Sequence, residues 1–292
     1  MCDQHSIDDM NEFVRQSGLS RRRFGSLTMG AGLTAMLPSI LAAADAKDVV
    51  GEDIEIKTPD GVAEAYFVRP SSGRHPGVLV WPDAFGLRPA FKQMADRLAR
   101  EGYAVLVPNQ FYRTNKLPII PGANVRDEAT LKAIFALIAT LNADITVADA
   151  KAFVGFLEKQ PAVDARRKLA TTGYCMGGSM TVRTAATFPD RVGAVASFHG
   201  GWLVTDKPDS PHLLMPKIKA QCLFAIAQND DQQQPEAKDV LRDACAKAGV
   251  KAEIEVYAAL HGWCPPDSPV YDEALAEKAW GRMLVLFKAA LA

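Results

Sequence analysis

The sequence predicts an α/β protein with a mostly parallel central sheet, helices on both faces and an antiparallel hairpin near the N-terminus. Short β-rich runs alternate with longer amphipathic stretches from residue 48 onward, without a low-complexity linker. Apolar strands that alternate with helices are joined by right-handed crossovers, which makes the strands parallel. The exception is the start, where two alternating runs flank the turn Pro59-Asp60-Gly61. We therefore expect one domain, residues 47–292.

The predicted elements place functional side chains at one edge of this sheet. Strands are predicted over residues 53–58, 63–68, 77–81, 103–107, 168–172, 192–198, 221–227 and 252–257. Helices are predicted over residues 89–101, 177–188, 235–248 and 271–291, with another that follows an irregular segment and ends near residue 160. Ligands of such sheets bind at the carboxyl ends of the strands. Functional residues should therefore follow directly after strands.

Residues 1–46 predict an export signal. Arg21-Arg22-Arg23-Phe24 precedes a run of small and apolar residues that ends in Ala42-Ala43-Ala44-Asp45-Ala46. Basic residues, an apolar stretch and an A-x-A site describe a secretory signal peptide, here cleaved after Ala44 or Ala46. Paired arginines before phenylalanine resemble the twin-arginine signal, which the twin-arginine export machinery reads. We expect an exported, periplasmic protein.

An amphipathic N-terminal helix is the alternative for this segment. Gly30, Gly32 and Pro38 interrupt its apolar stretch and would destabilise a packed helix. The stretch is also too short and too weakly apolar for a stable membrane anchor. These features favour the signal peptide.

Composition and cysteine spacing argue against two classes of partner. The formal net charge is -1, and no run of basic and aromatic residues occurs beyond residue 25, so no nucleic-acid surface is expected. The five cysteines form no CxxC pair and no metal-binding spacing. No metal site is therefore expected, and one cysteine could be kept for its reactivity.

Gly173-Tyr174-Cys175-Met176-Gly177-Gly178 has the pattern of a nucleophile elbow with cysteine in the serine position. It follows a predicted strand and opens a predicted helix, and only small neighbours fit so sharp a turn. The helix dipole and the unpaired amide groups would favour a thiolate there. The pattern predicts Cys175 as the nucleophile; the alternative is a buried structural cysteine.

Two further side chains complete a triad in the order nucleophile, acid, base. His261 follows the predicted strand 252–257, and Asp230 and Asp231 follow the strand 221–227. Asp230 is the first choice for the acid and Asp231 the second. Each could instead have a capping role. Their order and their positions after strands favour the triad.

Two backbone N-H groups are predicted to form an oxyanion hole, those of Met176 and of Ala84, which follows the strand 77–81. His199 and Trp81 could line the pocket, although structural roles are favoured for both.

Four segments together resemble the dienelactone hydrolase family, over essentially the whole chain after the signal. They are Gly173 to Gly178, Pro82-Asp83-Ala84-Phe85-Gly86, Val107-Pro108-Asn109-Gln110-Phe111-Tyr112-Arg113 and the loop around His261. The resemblance implies an α/β-hydrolase fold and a Cys-His-Asp triad that opens enol-lactones or cleaves activated esters. It assigns Cys175 as nucleophile, His261 as base and then acid, and Asp230 as the residue that orients the imidazole. It implies no cofactor.

The resemblance also assigns two charged residues near the substrate. Asp83 would contact the resting thiol, although it is one methylene shorter than the glutamate usual in the family. Arg113 would hold a substrate carboxylate, with a solvated loop arginine as the alternative. Cys264-Pro265-Pro266 stands where the best-known lactonases carry a second arginine.

Two rival functions remain open at this point. The same triad could serve an acyltransferase or thioesterase, and a binding protein could keep the fold without turnover.

Overall fold

The computed structural model describes residues 8, 9, 12, 48–120 and 127–292. Its centre is an eight-stranded sheet with the strand order β1-β2-β4-β3-β5-β6-β7-β8. The strands are β1 Val49–Thr58, β2 Gly61–Pro70, β3 Gly77–Trp81, β4 Ala104–Pro108, β5 Leu169–Tyr174, β6 Val192–Phe198, β7 Gln221–Ala227 and β8 Ala252–Tyr257.

The sheet has the mixed pairing that the sequence predicts. Strands β1 and β2 form an antiparallel hairpin in unbroken register from Val49 opposite Pro70 to Thr58 opposite Gly61. Strand β2 joins β4 antiparallel, and every later pairing is parallel. The hairpin at one edge and the parallel remainder are confirmed, and both hairpin strands are longer than predicted.

In the described residues, helices and a 3-10 helix connect the strands, and the last helix follows β8. They are α1 Pro89–Arg100, α2 Glu128–Ile138, α3 Ala143–Lys159, α4 Met176–Thr187, the 3-10 helix Pro211–Lys217, α5 Gln228–Gln233, α6 Ala237–Lys247 and α7 Glu273–Ala290. Three of them, α2, the 3-10 helix and α5, were not predicted. Helix α2 begins at an Asp127 cap, whose carboxylate accepts the N-H of Thr130, and α5 is a short helix directly after β7.

Alternate residues of β3 enter two different clusters of the hydrophobic core. Val78 and Val80 of β3 face a cluster that includes Phe91 of α1 and Phe287 of α7. Leu79 and Trp81 face the other cluster, which includes residues of α3 and α4. A strand that is apolar on both faces in this way lies between two layers of helices. This burial fixes the strand ends that carry the site.

The predicted signal segment falls outside the described residues, except for Asp8, Asp9 and Glu12. Among the described helices, no single one is long and apolar enough to span a membrane; α2 and α3, which meet at a 79° bend, would pass only as a pair, on length and composition.

Candidate active site

Cys175 occupies a strained turn between β5 and α4. Its backbone has φ 55° and ψ -123°, a conformation that side-chain-bearing residues rarely adopt. The neighbouring glycines are required by close packing: a Cβ on Gly177 would lie 2.3 Å from the carbonyl oxygen of Trp81, and one on Gly173 would lie 2.2 Å from that of Gly177. The sharp turn inferred from the motif is therefore present, with Cys175 at its apex.

His199 links this turn to the predicted base. Its Nδ1 accepts the backbone N-H of Cys175 at 3.0 Å, a donor that the carbonyl of Phe198 shares at 3.1 Å. The ring centroid of His199 lies 4.9 Å from that of His261 and 5.2 Å from that of Trp263, both edge to face. Burial, reinforced by nearby His261, holds the pKa of His199 well below its ordinary range. A neutral ring is what the acceptor role of Nδ1 requires.

His261 and Asp230 form the hydrogen-bonded pair that a triad needs. His261 Nδ1 lies 2.7 Å from one carboxylate oxygen of Asp230 and 3.0 Å from the other. Burial alone would raise the pKa of Asp230, but the charge and hydrogen bond of His261 contribute to lowering it to about 2. Asp231 instead forms an ion pair with Lys238 at 2.7 Å. Of the two aspartates, Asp230 is therefore the one that contacts the imidazole.

Asn229 supports His261 from the backbone side. Its Oδ1 accepts the N-H of His261 at 2.8 Å, and its Nδ2 donates to Asp9 at 3.0 Å. Asn229 is buried. Sequence reasoning passed over this residue because an amide beside two aspartates carries no signal of its own; only the approach of β8 to β7 reveals its role.

The residues of the two predicted oxyanion donors, Ala84 and Met176, lie at equivalent positions after the neighbouring strands β3 and β5. Trp81 of β3 pairs with Gly173 of β5, and Ala84 and Met176 each follow three residues later. The loop that carries Ala84 is held by buried Gln110, whose Nε2 donates to the carbonyl of Asp83 at 2.8 Å. Gln110 belongs to a segment that carries the family resemblance, although the resemblance assigns it no role.

Asp83, predicted to contact the thiol, forms a two-point ion pair with Arg88. The two guanidinium nitrogens lie 2.7 Å and 2.9 Å from its carboxylate oxygens. Arg88 also binds Asp267 of the histidine loop, at 2.7 Å and 2.9 Å. The guanidinium thus joins the loop after β3 to the loop after β8. Sequence reasoning missed Arg88, because its partner Asp267 lies 179 residues away.

Arg113, predicted to hold a substrate carboxylate, makes four hydrogen bonds to two aspartates. Two go to Asp149 of α3, at 2.7 Å and 2.9 Å, and two to Asp60 of the hairpin turn, at 2.6 Å and 3.0 Å. The side chain of Asp149 is only 2% exposed, and burial raises its pKa against the opposing effect of Arg113. In this structure Arg113 provides the counter-charge for the buried carboxylate of Asp149.

Trp81 has the structural role favoured for it, since it is fully buried and its Nε1 donates to Thr184 at 3.1 Å.

The cysteines differ in state. The sulfur of Cys175 is part of a disulfide bond in the structure, so thiol chemistry at this position belongs to the reduced protein. Cys222, Cys245 and Cys264 are free and buried. Burial raises the pKa of all three thiols, to about 11 for Cys245.

Comparison with known proteins places this geometry in a family. The model of the dienelactone hydrolase family matches residues 63–291. A Methylorubrum extorquens protein provisionally named carboxymethylenebutenolidase is 28% identical over 96% of both chains. An Escherichia coli K12 protein with the same provisional name is 31% identical over 77% of this chain and 81% of its own.

A solved structure supports the same assignment. The crystal structure of a provisionally named dienelactone hydrolase from Klebsiella pneumoniae is 25% identical and superposes with a TM-score of 0.72, over 82% of this chain and 99% of its own. The predicted α/β-hydrolase fold is confirmed, and the chain belongs to the dienelactone hydrolase family.

Proposed function

We propose that this chain hydrolyses an ester or lactone through a thioester intermediate, with Cys175 as nucleophile, His261 as base and Asp230 as the orienting acid. Family membership supports ester or lactone hydrolysis as the class of reaction. The observation that carries the finer proposal is spatial: the elbow residue Cys175 and the paired base His261 both contact one side chain, His199. A nucleophile at a strained elbow beside an imidazole-carboxylate pair is the arrangement that covalent acyl transfer requires.

The proposed steps use only groups of this chain and water. With Asp230 on its Nδ1-H, His261 takes the thiol proton of reduced Cys175 on Nε2. The thiolate attacks the carbonyl carbon, and the N-H groups of Ala84 and Met176 bind the oxyanion. Collapse expels the alkoxide or enolate, which takes the proton from His261, and a thioester remains. His261 then deprotonates a water molecule that attacks the thioester, and the departing thiolate recovers the proton.

Comparison of Cys175→Ala with the reduced wild-type chain tests this proposal. On an activated p-nitrophenyl ester we expect a loss of about 10³-fold or more in kcat/KM, with the circular dichroism spectrum unchanged. Cys245→Ala is the matched control, since it removes a buried cysteine of α6 whose sulfur contacts Met215. Wild-type turnover by Cys175→Ala would instead favour a different nucleophile. Addition of an alcohol and analysis of the products separates hydrolysis from acyl transfer.

We also propose that the protein is exported through the twin-arginine machinery, a suggestion that rests on the sequence of residues 1–46. A precursor with Arg21→Lys and Arg22→Lys should stay in the cytoplasm at full length. If that variant is found in the periplasm, the twin-arginine signal proposed at Arg21 and Arg22 is excluded. Sequencing the exported protein would distinguish a start at Asp45 from one at Lys47.

A further inference from the structure

We propose that the site takes uncharged esters or lactones and disfavours substrates that carry a carboxylate. The inference rests on the proposed hydrolysis and adds the charge class of the substrate. It is based on the ion pairs of Arg88 and Arg113. Arg88 lies in the loop after β3, and Arg113 lies in the loop after β4. Each of these guanidinium groups binds two carboxylates of the chain itself.

Arg88 lies on the loop that carries the oxyanion donor Ala84. Its ion pairs with Asp83 and Asp267 use two hydrogen-bonding edges of the planar group that would recognise a substrate carboxylate. The side chain of Asp83 is 11% exposed. A substrate carboxylate could bind Arg88 only by displacing one of these partners, and loss of Arg88 would leave the Asp83 carboxylate buried without its counter-charge, which is strongly unfavourable.

Arg113, in the loop after β4, also binds two carboxylates of the chain itself. It follows Gln110, whose amide holds the carbonyl of Asp83, by three residues. Its hydrogen bonds to Asp149 neutralise a carboxylate inside the protein, and those to Asp60 tie the loop to the hairpin turn. A substrate carboxylate would again have to compete with a buried partner.

Each arginine and its two carboxylates together carry a net negative charge. Asp83, Arg88 and Asp267 carry a formal charge of about -1 together, as do Asp60, Arg113 and Asp149. A carboxylate-bearing ester would enter a field of its own sign, whereas a neutral ester would not.

Two p-nitrophenyl esters of equal acyl length test the inference. p-Nitrophenyl butyrate is neutral, and mono-p-nitrophenyl succinate carries a carboxylate at the same chain length. We expect the reduced wild-type chain to cleave the butyrate with a kcat/KM at least about tenfold higher, a gap that shrinks with added salt.

Asp267→Asn identifies the group responsible. Asp267 is 44% exposed, so the neutral amide leaves no buried charge unpaired, while Arg88 gains positive character toward the site. The butyrate-to-succinate ratio should fall at least about threefold. Asp239→Asn, which removes the carboxylate of an exposed pair on α6, is the matched control and should leave the ratio unchanged.

The outcomes separate this inference from the proposed hydrolysis. If the reduced wild-type chain cleaves neither of the two esters, the hydrolase proposal is overturned, and the charge inference that rests on it falls as well. Cleavage of the succinate as fast as the butyrate overturns the charge inference while hydrolysis stands. An unchanged ratio in Asp267→Asn overturns the part assigned to Arg88.

Discussion

The imidazole of His199 accepts the backbone N-H of Cys175 and packs edge to face against the ring of His261. One side chain therefore contacts both the strained turn of the nucleophile and the base. His199 itself has φ 40°, so its backbone is also held in a region that favours residues such as Asn and Gly. We interpret His199 as a positioning residue.

The acceptor role of His199 predicts different outcomes for two substitutions of similar size. His199→Asn keeps an acceptor near the Nδ1 position and tolerates positive φ, so we expect a loss of a few-fold in kcat. His199→Leu offers neither property and should lose about tenfold or more. Kinetics on one ester, with unfolding in urea as the stability control, measures both. A His199→Leu enzyme with wild-type kcat would contradict the positioning role.

His199 also predicts a pH dependence of stability. Its pKa is held well below the ordinary value in the folded protein, whereas in the unfolded chain it is about 6.5. Below that pH the unfolded state binds the extra proton, so stability falls as the pH falls. Between pH 7.5 and 5.5, wild-type Tm should therefore drop further than that of His199→Asn. Parallel curves for the two proteins would show that the folded and unfolded states bind a proton at His199 equally well.

Asp230 and Asp231 should respond very differently to substitution by asparagine. Asp230→Asn removes the charge that orients His261 and should reduce kcat/KM by about 10⁴-fold, as in well-studied triads. Asp231→Asn breaks only the pair with Lys238, so we expect a change of less than about threefold. Equal losses in both variants would contradict the assignment of the acid.

Thiol labelling should single out Cys175 once the protein is reduced. The other three described cysteines are buried, and burial raises their pKa values, so little thiolate is present. We expect iodoacetamide to modify Cys175 first in the reduced chain, with activity lost in step. Mass spectrometry of the modified peptides identifies the order. Earlier labelling of Cys222, Cys245 or Cys264 would show that burial does not govern reactivity here.

The parts of the site that the sequence predicts are those encoded by local patterns. The elbow around Cys175 is one continuous strand, turn and helix, so its motif specifies its geometry. Asp230 and His261 were predicted because each follows a strand, and parallel strands bring such ends together.

The parts that the sequence does not reveal depend on long-range contacts. Arg88 meets Asp267 from another loop, and no local pattern pairs residues so far apart. Arg113 was assigned by resemblance alone, and its partner Asp149 lies on a helix whose approach depends on tertiary packing. Helix α2 was missed because it lies in a segment without strong periodicity.

The contact between Asp9 and Asn229 adds a structural consequence to the proposed removal of the signal peptide. Asp9 belongs to the segment that cleavage after Ala44 or Ala46 would remove, and Asn229 holds the backbone of the proposed base. Cleavage would then remove more than the export signal. It would also remove the carboxylate that binds Asn229, the residue that holds the backbone of His261. The newly made chain and the exported enzyme would differ at the place where the chemistry is proposed, and activity measured on one would not describe the other.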